Sequence, residues 1–388
     1  MSALPPDFTL LQIVPRLDTG GAEQTSVDIA AAVQAAGGQA LVASMGGRMD
    51  LALAASGATL IRLPVHSKNP LVMIGNAVRL ARLIRERKVS LVHVRSRAPA
   101  FSAWLAAKAA RVPLIATYHG VYNAKSAIKR WYNGIMTRGR VVIANSEFTR
   151  GHVVAQHGID PAKVVAIPRG VHIERFDPAA VSPERIHALS QAWGLDPADA
   201  RVKVLLAGRL TRWKGQTLAI SAAARLKAQG IDDFLLIFAG DSQGRISYLS
   251  ELEDSIRNKG LQDNVRIVGH CADMPAAYAV CDIAIAPSLD PEAFGRTAVE
   301  PQAMGRPVIA ADHGATRETV APGETGWLAK PGDADAWTHA LGQAIAAGPK
   351  TRAIMGQAAM RRARDLYSVQ AMSAATLDVY ARVMDRRL

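Results

Sequence analysis

Short apolar runs alternate with stretches of helical periodicity along the whole chain, and this alternation constrains the fold more than any single motif. Strand-like runs stand at 8–15, 40–47, 58–65, 91–96, 114–120, 141–146 and 164–171. Most of the intervals carry apolar residues at helical spacing, as in SVDIAAAVQAAG (26–37) and IGNAVRLARLIRER (74–87). The pattern is interrupted over 177–200 and then restarts with VKVLLAGRL (202–210), FLLIFAGD (234–241), NVRIVGH, CDIAIAPS, RPVIAADHG and TGWLAKPGD. Near-continuous apolar strands alternating with helices imply parallel sheets covered on both faces. The restart implies two such doubly wound domains. A chain of 388 residues is also too long for one ordinary core. The expected division is 1–180 for the first domain and 200–369 for the second. The segment FDPAAVSPERIHALSQAWGLDPADA is read as a linker, and a last helix near 370–388 is read as returning to the first domain.

Composition narrows the class. With 49% apolar and 20% charged residues the chain reads as globular and soluble. No run approaches a membrane span, the N-terminus lacks a signal pattern, and two cysteines fit a reducing cytoplasm. The net charge of +13 is uneven: residues 1–200 hold 23 Lys and Arg against 13 Asp and Glu, and the rest 23 against 20. A basic first half suits an anionic partner such as a membrane surface, a phosphorylated glycolipid or a nucleic acid, or simply a solubilising surface. No nucleic-acid reader motif or zinc spacing accompanies it, and aromatics are only 5%. Helix 74–87 and KSAIKRWYNGIMTRGR (125–140) mix cations with apolar residues, the composition of a surface that meets a lipid interface, or of a helix with an ordinary core-facing stripe.

In parallel sheets ligands bind beyond the carboxyl ends of strands, so the loops there hold the candidate site. In AGRLTRWKGQ (207–216) a strand ends at a glycine turn, and Arg209 and Lys214 stand beside a helix start. Two cations there form an anion site, unless they are surface residues at a turn. In LDPEAFGRTAVEPQAMGRPVIA (289–310), Glu292 precedes a turn through Phe294 and Gly295, and Arg296, Thr297 and Glu300 belong to the following helix. The free amides of that helix start suit a diphosphate, and the two carboxylates suit vicinal hydroxyls on either side; capping of the helix by one acid is the plainer reading. PRLDTGGAEQ places Gly20 and Gly21 between strand and helix without a dinucleotide fingerprint. His119 ends a strand, a position open to structural or binding roles.

Together these four stretches resemble glycosyltransferase family 4, retaining nucleotide-sugar transferases of the GT-B fold. The E-x7-E element Glu292–Glu300, GRL…KG, the Gly-Gly loop and the His-Gly pair occur in the family's order. The resemblance implies two Rossmann-like domains facing a central cleft and transfer of a hexose from a UDP- or GDP-sugar. It implies that Glu300 holds the ribose hydroxyls. Glu292 would take a hydroxyl of the donor sugar, with the amides of Phe294 and Gly295 nearby. Arg209 and Lys214 would neutralise the diphosphate, helped by amides near Arg296 and Thr297. Gly20 and Gly21 would meet the phosphates, and His119 the donor sugar. Arg296 departs from the family's usual apolar residue; it would add a phosphate contact or point to solvent. Arg95, Arg97 and Lys125 are candidates for an anionic group on a lipid-linked or saccharide acceptor, of the kind used in lipopolysaccharide core or exopolysaccharide synthesis. Neither cofactor nor metal is expected: Asp333-Ala-Asp335 reads as a helix cap. The expected location is the cytoplasm, peripheral on the inner membrane face. A nucleotide-sugar 2-epimerase shares this architecture and is the principal alternative; a basic nucleic-acid-binding protein is the other.

Overall fold

The computed structural model describes residues 4–18, 20–122 and 126–385. The chain divides into two compact units, one holding the residues up to Gly170 and those from Val369 onward, the other Val171–Ser368.

The first unit carries a parallel seven-stranded sheet: β1 (Thr9–Ile13), β2 (Gln39–Ser44), β3 (Thr59–Arg62), β4 (Leu91–Val94), β5 (Leu114–Tyr118), β6 (Val141–Ala144) and β7 (Val164–Ala166). Their order is β3-β2-β1-β4-β5-β6-β7. The second unit carries β8 (Val202–Ala207), β9 (Phe234–Ala239), β10 (Val265–Gly269), β11 (Ile283–Ala286), β12 (Val308–Ala311) and β13 (Gly326–Ala329), ordered β10-β9-β8-β11-β12-β13. In each sheet the chain runs outward to one edge and then returns to the strand beside its start. The reversal falls between β1 and β4 in one unit and between β8 and β11 in the other. Loops leaving the carboxyl ends of those paired strands emerge side by side, which makes each reversal a natural binding position.

Helices cover both faces, so the central strands are buried throughout: TLLQI in β1, LVHV in β4 and IAIA in β11. Among the interior positions of the first sheet, the polar residues Gln12, His93 and Thr117 are each hydrogen-bonded through their side chains. The final helix, Val369–Met384, lies on this unit and brings Tyr380 within 2.7 Å of His93 Nδ1.

The segment expected as a linker belongs to the second unit instead, which begins at Val171 rather than near 200. Its prolines do not mark loose chain. Pro178 and Pro183 open a short 3-10 turn and the helix Pro183–Ala192, where a missing N–H costs nothing, and Asp177 and Ser182 cap them. Phe176, Trp193 and Leu195 are buried in the core of that unit, and Arg266 Nη1 donates to the Trp193 carbonyl (2.8 Å). Asp333 caps the helix Ala334–Ala346 by accepting from the Asp335 and Ala336 amides, and Asp335 pairs with Arg225.

Candidate active site

The second unit gathers most of the chemistry at its strand reversal. After β8 the chain turns through Gly208 to Lys214 and ends the turn at Gly215, whose φ is +79°. A Cβ at Gly215 would also strike the Pro287 carbonyl oxygen, so glycine is needed for conformation and for contact alike. This contact presses the β8 loop against the β11 loop. The Leu289 amide then donates to the Trp213 carbonyl (2.7 Å).

Glu292 reaches this junction from the other side. Its Oε1 accepts from Lys214 Nζ (2.5 Å) and from Ser288 Oγ (2.7 Å). The two ion-pair side chains are 11% and 13% exposed, so the pair is strongly sheltered from solvent. The Lys214 ammonium also lies 4.3 Å from the centre of the Trp213 ring. Arg209 is exposed and makes no ion pair among the described residues; its backbone carbonyl accepts from Gln216 (3.0 Å).

The helix Arg296–Ala303 starts at Gly295 and directs its first amides outward. Phe294 is buried against Tyr367, 5.8 Å between ring centres. Thr297 lies in the first turn, and Glu300 on the buried side is 8% exposed. The Arg296 Nη2 bonds Glu300 Oε1 at 2.7 Å, one helical turn away. The buried Tyr278 hydroxyl reaches Glu300 Oε2 at 3.4 Å. Glu300 is thus oriented from two sides, and Tyr278 gave no sign in the sequence of doing so.

In the first unit the loops after β1 and β4 adjoin. Arg95, 2% exposed, donates Nε to Gln12 (2.8 Å), and its buried Nη2 finds no partner among the described residues. Beyond β5, both ring nitrogens of His119 are buried, likewise without a partner among the described residues. Arg169, from the loop after β7, donates Nη2 to the His119 carbonyl (3.1 Å) and lies so close to Gly21 that a Cβ there would strike its guanidinium. Gly20 is the extended N-cap of the helix Gly21–Ala35, with the Glu23 carboxylate folded over it. Arg97 stacks 3.9 Å over Tyr122 and donates to Asn133 (2.8 Å). Lys125 lies outside the described residues. Sequence reasoning passed over Ser288 and Arg169, although both follow strand ends where functional side chains collect.

Two buried histidines set a pH response. Burial, then the charges of Arg95 and His119, hold His93 well below the usual imidazole pKa; burial, then Arg169 and Arg95, do the same for His119. Both are therefore neutral in the folded state at ordinary pH. The unfolded chain takes up protons near pH 6.5 that the folded chain refuses. Stability is full above that pH and falls as pH drops below it, by about 1.4 kcal/mol per unit for each such histidine until the folded pKa is reached. Thermal melts between pH 7 and pH 5 should show a steeper acid loss in the wild type than in His93→Gln, and identical slopes would contradict this.

Comparison with known proteins places these features in a family. Residues 192–362 match the family described as glycosyl transferases group 1, and residues 19–175 match glycosyltransferase family 4. D-inositol 3-phosphate glycosyltransferase of Kineococcus radiotolerans is 32% identical over 328 residues, 78% of this chain and 73% of that protein. The chain is a family 4 glycosyltransferase. A glycosyltransferase structure from Rickettsia africae aligns with a TM-score of 0.89 at 32% identity, covering 98% of this chain and 99% of that one. The Anabaena protein HepE, solved in complex with UDP-glucose, aligns with a TM-score of 0.79 at 26% identity, covering 96% and 99%. The two parallel-sheet units of this transferase are accordingly those of the GT-B fold. The transferase has no helix, among the described residues, long and apolar enough to cross a membrane.

Proposed function

We propose that this transferase moves a hexose, with retention of anomeric configuration, from a UDP- or GDP-sugar to an anionic acceptor. The observation that carries the donor reading is the meeting of Lys214, Glu292 and Ser288 at the β8–β11 reversal, on the unit that also holds Glu300 with Arg296. The complex of HepE with UDP-glucose supports a UDP-sugar in particular. Lys214 and Arg209 face the donor diphosphate, with the amides of Phe294, Gly295, Arg296 and Thr297 contributing partial positive charge. Glu300 accepts from the ribose hydroxyls and Glu292 from a sugar hydroxyl. Gly20, Gly21 and His119 keep the roles the family likeness implies.

The reaction is a front-face displacement. The bond from the anomeric carbon to the phosphate oxygen breaks while the acceptor oxygen bonds that carbon from the same side. The acceptor proton passes to the departing phosphate oxygen. Lys214 and Arg209 act by stabilising negative charge as it grows on the diphosphate. In this reading the two cations supply the neutralisation and no metal is needed; Asp333 caps a helix.

Two features support the acceptor. The unpartnered Nη2 of buried Arg95 suits an oxyanion on the acceptor, with Arg97 nearby in the chain; the Kineococcus relative is named for a phosphorylated cyclitol. On the helix Pro70–Glu86, Leu71, Ile74 and Val78 form an exposed apolar stripe followed by Arg79, Arg82 and Arg85. Beside it, Ile74, Phe101, Leu105 and Trp131 line an apolar groove of about 280 Å³, and exposed Lys129 and Arg130 flank Trp131. Apolar residues rimmed by cations suit the anionic inner face of a membrane, where acceptors for lipopolysaccharide core or exopolysaccharide are built.

One assay tests the reading: UDP- and GDP-hexoses incubated with the full chain, a strong chelator and vesicles carrying anionic lipid and a crude glycolipid fraction. Expected are nucleoside diphosphate release, sedimentation with anionic but not neutral vesicles, and a product with the donor's anomeric configuration. Inversion, a chelator-sensitive reaction, or free sugar epimers without an acceptor would overturn the corresponding part.

A further inference from the structure

We infer that Trp213 is a positioning residue for the Lys214 ammonium, holding it in place while Glu292 exchanges partners. This rests on the donor reading above and adds a side chain that reading does not use.

Among the described residues the ammonium interacts with two neighbours. One is the Glu292 carboxylate at 2.5 Å, the other the face of the Trp213 indole at 4.3 Å. Glu292 is a shared partner, since its Oε1 also accepts from Ser288. A donor engages Glu292 through a sugar hydroxyl and Lys214 through the diphosphate, so the ion pair loosens when the donor arrives. A lysine side chain is long and flexible, and a released ammonium has many rotamers to explore. The indole face is a second station that needs no carboxylate. Cation attraction to an aromatic face is worth about 0.5 to 2 kcal/mol, more when water is excluded, and Lys214 is only 11% exposed.

The backbone beneath the ring is anchored. Trp213 lies in the single turn Arg212–Lys214, its carbonyl accepts the Leu289 amide at 2.7 Å, and Gly215 closes the turn against Pro287. The backbone bond ties Trp213 to the same β11 loop that carries Glu292. The backbone that carries the indole therefore stays tied to the loop of Glu292 whether or not the ion pair is made. A flexible cation between this ring and an acid with another hydrogen bond is an arrangement for keeping the cation in place while its anionic partner changes.

The test uses the full chain with UDP and needs no acceptor. UDP should change the indole emission of the wild type as the ammonium held on the ring turns from Glu292 to the diphosphate. Trp213→Phe, which has lost that indole, and Lys214→Gln, which has lost the cation, should not show this component. UDP affinity should fall about five- to tenfold in Trp213→Leu and recover to within about twofold of wild type in Trp213→Phe, with melting temperatures of the two variants alike. Equal UDP affinity in wild type and Trp213→Leu would overturn the inference, as would an unaltered emission change in Lys214→Gln. Failure of the wild type to bind UDP or GDP at all would instead strike at the donor reading.

Discussion

Lys214→Ala should lower turnover by about 10²- to 10³-fold while the chain stays folded. The ammonium stands at the strand reversal of the second unit; in the proposed reaction negative charge would grow there on the departing diphosphate, and a hydrogen-bonding cation would act mainly on the transition state. The variant also breaks a sheltered ion pair. Removing one partner of such a pair leaves a charge without compensation, which is costly when burial is deep. Here the cost is limited, because Glu292 retains the Ser288 hydroxyl and is not wholly buried. Lys214→Gln, which keeps a donor near Glu292, should melt closer to wild type and still be slow. Lys214→Arg should restore only part of the rate, because a broad planar guanidinium does not reproduce a compact ammonium beside Trp213. Steady-state rates and melting curves on the three variants decide the matter; turnover in Lys214→Ala within about threefold of wild type would remove the role.

Glu300→Gln should weaken UDP binding by about 10- to 100-fold, the loss expected when hydrogen bonds to a charged acceptor are replaced by neutral ones. The substitution keeps the shape and leaves an oxygen for the Tyr278 hydroxyl, so the buried side of the helix Arg296–Ala303 keeps its partner. Arg296 loses its ion pair but is more than a third exposed and is readily hydrated. The decisive comparison is with a UDP analogue lacking both ribose hydroxyls. Wild type should discriminate strongly between UDP and the analogue, and Glu300→Gln should barely do so. Undiminished discrimination in the variant would mean that Glu300 orients Arg296 and Tyr278 without touching ribose.

The strands were legible because a sheet buried on both faces writes itself as uninterrupted apolar runs, and IAIA of β11 or TLLQI of β1 admits little else. Glycine signals were legible for a similar reason: the turn at Gly215 leaves no room for a side chain. The contact between Lys214 and Glu292 was not written in the sequence. The residues are 78 positions apart, and they meet only because β11 returns to lie beside β8. Tyr380 and His93 are 287 apart and had no local sign at all. The pairing of Arg296 with Glu300 was within reach, since four residues along a helix face each other, yet the family likeness drew attention to phosphate instead. The stretch 177–200 misled because a proline after a capping Asp or Ser, as at Asp177-Pro178 and Ser182-Pro183, opens a helical turn as readily as it marks a linker, and the apolar anchors Phe176, Trp193 and Leu195 are sparse around them.

The most direct test of the account is a calorimetric titration of the full chain with UDP and with GDP in the presence of chelator, run beside Lys214→Ala. The account predicts one saturable site for at least one of the two nucleotides and clear weakening in the variant. No binding of either at millimolar concentration, or equal binding by wild type and variant, would contradict it.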